Sequence, residues 1–125
     1  MQEPVLVPDA LTMANPARNL IDRLGNKWSL LIIAVVAEQP VRFGLLRRRI
    51  QGVSQKMLSQ TLRSLERDGL VDRRIISARP LAVEYSLTAL GDTLAPLAIT
   101  LKDWTEAHVA EVVAANQAYA ERMAE

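Results

Sequence analysis

The sequence predicts a mainly α-helical protein with a small β-hairpin. Three observations lead there: a capped amphipathic stretch at residues 54–68, a cleanly alternating stretch at 82–87, and apolar residues at helical spacing from Leu94 onward. The 125 residues suit one compact domain, and half of them are hydrophobic, enough for a real core and too many for a disordered chain.

Residues 1–13 read as an arm without a fold of its own. Asn15-Pro16 has the form of a helix start, with Asn as cap and Pro in the first turn. Leu20, Ile21 and Leu24 then form the apolar side and Gly25 the stop. Residues 27–38 are rich in β-branched side chains. Periodicity alone fits a buried strand or a buried helix there, and the length favours the helix. Pro40 closes the segment. Residues 41–43 read as a short extended piece, 44–50 as a short helix bearing Arg47, Arg48 and Arg49, and 51–53 as a turn.

Residues 54–68 carry the clearest helical signal. The Ser54 hydroxyl can accept a free backbone N–H at the start, and Gly69 suits the stop. At about 100° per residue, Leu58, Leu62 and Leu65 fall within about 60° of one another. Lys56, Gln60, Arg63 and Arg67 fall within a similar arc on the opposite side, with Ser59 at its edge. Two strands should follow, at 70–76 and 82–87, with Val83, Tyr85 and Leu87 on one face of the second and a tip at 77–80. Thr88 can cap a final helical region in which Leu94, Leu97, Ala98, Leu101, Trp104, His108 and Val112 share a spacing. Pro96 should kink that region or mark a new start.

Charge is distributed unevenly. Residues 42–79 hold ten basic residues against three acidic, net +7; the remainder holds five basic and eleven acidic, net −6. A basic middle with acidic flanks suits a polyanion-binding face. The absence of cysteine excludes disulfides, thiolate metal sites and cysteine nucleophiles, and a single histidine leaves little for a metal cluster or a triad. No phosphate loop or pair of catalytic carboxylates is visible, so neither an enzyme, a cofactor nor a metal is expected. The longest apolar run, 30–37, is far short of the ~20 residues that span a bilayer, and no signal peptide is visible, so a cytoplasmic location is expected.

Helix, helix, short strand, helix, helix, strand, strand, long helix is the order of a winged helix-turn-helix. The recognition helix would be 54–68 and the wing 70–87. Its outer face offers Lys56, Arg63 and Arg67 for phosphates or guanine edges and Gln60 for base edges. The same fold without a basic face serves as a protein-interaction module, which is the alternative reading.

The motifs Leu24-Gly25-Asn26-Lys27-Trp28, Arg42-Phe43, Val53-Ser54-Gln55-Lys56-Met57-Leu58, residues 62–71 (LRSLERDGLV) and residues 83–88 (VEYSLT), followed by Gly91, Leu94, Pro96 and Trp104, closely resemble the HxlR family of winged-helix regulators, related in fold to MarR-type regulators. The resemblance covers about residues 15–104. It implies that 27–38 is a helix and that the protein is a DNA-binding regulator, usually a repressor. It also implies a homodimer joined through terminal helices, here Leu20, Leu94, Leu97, Leu101 and Trp104, that binds a pseudo-palindromic operator. The expected DNA-contacting set is Arg42, Ser54, Gln55, Lys56, Ser59, Gln60, Arg63, Arg67 and Arg79. The division that follows is an arm at 1–13, a winged domain at 14–104 and a helical extension at 105–125. Trp28 and Trp104 fit either core or dimer packing or the lining of a small-molecule effector pocket. Arg47 to Arg49 fit phosphate contact or plain solvation, and His108 fits either a pH or ligand sensor or, as is commoner, a surface or interface position. Three positions depart from the family pattern: Asn15 stands where many members have cysteine, Leu45 where Glu is usual, and Ala82 where the wing often has a basic residue, a charge that Arg79 can supply.

Overall fold

A computed structural model describes residues 6–125; the first five residues of the expected arm lie outside it. In chain order the elements are α1 (Pro16–Leu24), α2 (Lys27–Val36), β1 (Val41–Arg42), α3 (Phe43–Arg49), α4 (Gln55–Arg67), β2 (Val71–Ala78), β3 (Leu81–Leu87) and α5 (Ala89–Ala124). The strands form one antiparallel sheet in the order β1-β3-β2. This is the mainly helical winged-helix architecture that the element order predicts.

Most helix starts are set locally. Side-chain oxygens of Asn15, Asn26, Ser54 and Thr88 accept from the backbone N–H of Ala17, Trp28, Met57 and Gly91, each satisfying a donor the helix itself cannot. Asn15 also gathers the arm, its Oδ1 accepting from Asp9 N–H and its Nδ2 donating to the Val7 carbonyl. The segment that periodicity left open is the helix α2, apolar on all sides because it runs through the centre of the core. Ile32 and Ile33 are wholly buried, in one cluster with Leu46, Leu58, Leu62, Leu65, Val71 and Tyr85.

The chain leaves α4 through Gly69, whose φ of +77° is a backbone state open to glycine at little cost. Leu70 N–H then reaches back to the Leu65 carbonyl and Gly69 N–H to Glu66, closing the helix end. The same corner anchors α5: the Thr88 hydroxyl donates to the Gly69 carbonyl at 2.6 Å and Thr88 N–H to the Leu70 carbonyl at 3.1 Å. Gly91 sits so close that a Cβ there would overlap the Leu70 carbonyl.

Several expectations are corrected. Phe43 opens α3 rather than ending the extended piece, so the helix runs one residue earlier at both ends than 44–50. β2 continues through Ser77 and Ala78, pairing with Ala82 and Leu81, and the tip shrinks to Arg79-Pro80. Pro96 starts no new helix: α5 passes through it unbroken. Pro96 and Asp92 are both exposed, so water can serve the Asp92 carbonyl that proline's missing N–H leaves without a helical partner. Ile21 is 56 % exposed rather than part of the packed side of α1. Leu94 to Val112 is not one packed stripe either. Gly91, Ala95 and Ala98 are the buried residues of α5, while Leu97, Leu101 and Trp104 face solvent. The expected boundary after Trp104 falls within this continuous helix.

Candidate nucleic-acid interface

α4 is divided lengthwise. Leu58, Leu62 and Leu65 are at most 1 % exposed, anchoring one side in the core. Lys56, Gln60, Arg63 and Arg67 are all exposed on the other, joined by Gln55 in the first turn, with Ser59 half-buried at the edge. Ser54 accepts from Met57 N–H at 3.0 Å, which leaves its own O–H free to donate outward beside the open helix N-terminus. Val53, 6 % exposed, fixes the turn that leads in.

The far end of α4 is clamped from α1. Arg23 Nε donates to Asp68 Oδ2 at 2.8 Å and its Nη2 to Oδ1 at 3.1 Å, a two-pronged contact of the kind guanidinium geometry favours. The hydrogen bond to the Asp68 carboxylate raises the Arg23 pKa further above its already high value. Asp68 is thereby occupied as a structural anchor at the end of the basic stripe.

Strand register adds a cation that helical periodicity cannot reveal. Arg73 pairs with Tyr85, and Tyr85 with Val41, so these three share the sheet face toward the core. Arg73 emerges at the edge of that face, in a notch with Ser59, Arg63, Glu66 and Tyr85 between α4 and β2. Arg74, Glu84 and Arg42 alternate to the opposite face. Arg42 thus sits away from the α4 stripe, in a groove with Arg48, Phe43 and Leu81. Arg79 stands exposed at the wing tip. The structure gathers Gln55, Lys56, Ser59, Gln60, Arg63 and Arg67 on one surface with Arg73 beside it. Arg42 and Arg79 stand on the flanking sheet.

Of the residues expected to join two copies, Leu20 and Leu94 are half-buried in their own chain. Leu97, Leu101 and Trp104 are 67, 48 and 52 % exposed. Trp104 stacks on His108 with centroids 4.7 Å apart. Trp28 packs against the core with the Lys27 ammonium 4.5 Å from its ring centroid. Neither tryptophan lines the apolar concavities between α2 and α5. No helix among the described residues is long and apolar enough to cross a membrane.

Residues 23–113 match the HxlR-like helix-turn-helix family. The chain is 41 % identical over 99 residues to the HTH-type transcriptional regulator YtfH of Escherichia coli, covering 79 % of each protein. Among solved structures it is similar to the transcriptional regulator ytfH from Salmonella typhimurium, with a TM-score of 0.83 and 35 % identity over 87 % of this chain and 97 % of that one. It also resembles the redox regulator HypR in its oxidised form, with a TM-score of 0.68 and 37 % identity over 74 % of this chain and 95 % of that one. A divided α4, a short paired wing and a profile match over most of the chain agree: the protein belongs to the HxlR-like helix-turn-helix family of transcriptional regulators.

Proposed function

We propose that the protein is a sequence-specific DNA-binding repressor that works as a homodimer in the cytoplasm and has no catalytic activity. The observation that carries this reading is the lengthwise division of α4. One side is sunk in the core, while the other offers Lys56, Gln60, Arg63 and Arg67 to solvent at the spacing a major groove accepts. Ser54 and Gln55 at the helix start, and Ser59 with Arg73 at its side, would hold phosphates. Arg42 and Arg79 on the sheet would follow the flanking backbone or minor groove. The exposed basic stripe argues against a pure protein-interaction module. Leu97, Leu101 and Trp104, with Leu20 and Leu94, would join two copies and set two recognition helices on a pseudo-palindromic operator about one helical turn apart. Functionally, residues 14–104 would be the reading domain and 105–125 an extension of the dimer helix.

Operator fragments selected from the source genome provide the substrate for the test, a mobility-shift titration at several salt concentrations. Affinity should fall steeply with salt, as for a dimer that neutralises about 6–10 phosphates. An Arg63→Ala/Arg67→Ala variant with unchanged affinity would remove α4 from the interface.

A further inference from the structure

A cavity of about 390 Å³ opens between α2, the end of α3 and α5. Its apolar lining comes from Leu31, Ala34, Val35, Ile50 and Ile99. That volume and the mix of apolar floor and charged rim suit a small organic molecule.

The rim charges indicate which kind. Arg49 and Lys102 are its cations, and both are engaged within the chain: Arg49 Nη1 lies 2.7 Å from Glu38 Oε2, and Lys102 Nζ lies 2.9 Å from Glu106 Oε1. Among the described residues, Asp103 is the rim charge with no ion pair within 4.0 Å. The lining carries two carboxylates, Glu38 and Asp103, against these two cations, and Glu106 meets Lys102 from just outside it. An entering anion would have to displace Glu38 or Glu106; an entering cation finds Asp103 available.

We propose that this cavity is an effector site for a lipophilic monocation, its apolar body on Ala34, Ile50 and Ile99 and its ammonium at Asp103, and that occupancy weakens operator binding. The coupling rests on the DNA-binding reading of α4. Ile50 and Gln51 line the cavity, and the next three residues, Gly52-Val53-Ser54, lead directly to the cap of α4. A ligand wedged between α5 and Ile50 therefore acts on the turn that sets the entry of the recognition helix.

The test uses a matched pair, 4-phenylbutylamine and 4-phenylbutanoate, titrated calorimetrically into the full-length protein without DNA. The amine should bind at least tenfold more tightly than the carboxylate. Asp103→Asn should remove most of that preference, and Ile99→Trp, which fills the cavity from its exposed side, should abolish binding, with thermal melting and sedimentation confirming fold and assembly. Equal binding of the two compounds, binding of neither, or indifference to both substitutions would overturn the site. Operator affinity is then measured with and without saturating amine. A several-fold loss in the parent, absent in Ile99→Trp, supports the coupling, and an unchanged affinity refutes it. A protein that takes up the amine but binds no duplex would instead break the DNA reading and leave the ligand site standing.

Discussion

Two parts of α5 face opposite fates. Up to Ala98 the helix turns small residues, Gly91, Ala95 and Ala98, onto the domain, while Leu90 and Leu97 on its other side stay exposed. After Ala98, large apolar residues such as Leu101, Trp104, Val109, Val112 and Tyr119 stand about half exposed or more. Small side chains let a helix approach its own core closely, whereas a long row of large ones left in water is a candidate contact surface. Sequence spacing assigns Leu94, Leu97, Ala98, Leu101 and Trp104 to a single stripe, but only Ala98 and half-buried Leu94 pack on this chain's core. The lesson is that helical periodicity identifies an apolar face without saying which molecule covers it.

The comparison breaks first at the near part. Gly91→Ala would drive a methyl into the backbone carbonyl of Leu70, with no rotamer to relieve it. A loss of about 3 kcal/mol or more is expected by urea denaturation, at the upper end of overpacking effects. Leu62→Ala, at a side chain 1 % exposed, should cost about 2–5 kcal/mol in the same assay. The far part should behave in the opposite way. Leu101→Asp/Trp104→Asp is expected to leave the monomer fold intact by circular dichroism and to convert a dimer to a monomer in sedimentation at micromolar concentration. Operator affinity should fall at least tenfold. A double variant that stays dimeric would assign the pairing surface elsewhere. Gln60→Ala, away from α5 altogether, should alter base preference by about 1–3 kcal/mol at one operator position, with stability unchanged, as competition between operator variants would show.

The smallest effect is at the α2–α3 clasp. Hydrogen bonding from Arg49, and then its charge, hold the Glu38 carboxyl below its ordinary pKa. The folded state thus favours the ionised form. The clasp's contribution is present above the ordinary carboxylate range and fades as pH falls through the depressed value. Both partners are exposed, so the gain is slight. Arg49→Ala should return Glu38 to the ordinary carboxylate range, seen by carboxyl-carbon NMR titration.

What was legible in the sequence was local. Asn15, Ser54 and Thr88 each cap a helix from within its own first turn, and Gly69 ends one, so short-range chemistry was enough to find them. The basic face of α4 was legible for the same reason, through a repeat of 3.6 residues. Arg73 was not, because its place beside Arg63 follows from pairing across the hairpin, and β2 barely alternates. The β1–β3 pairing was equally hidden: a strand of two residues has no period to read. The Asn15 departure was visible directly. HypR is a redox regulator, but a chain without cysteine has no thiol for such chemistry, so duplex binding should survive maleimide or diamide as long as its methionines stay intact.

The corner where Thr88 and Gly91 lock α5 to the end of α4 has a mechanical consequence. The long helix is welded to the domain from Thr88 to Ala98, and the arm beyond is long: at about 1.5 Å per residue, the stretch from Ile99 to Ala124 extends roughly 39 Å. A rigid lever of that length turns a tilt of about 5° at its base into a sweep of about 3 Å at its tip. The same leverage works in reverse. In the proposed dimer, a partner that grips the tip would set the angle at its base, so the pitch between two reading heads would be open to retuning by substitutions far from any base, with the reading face untouched.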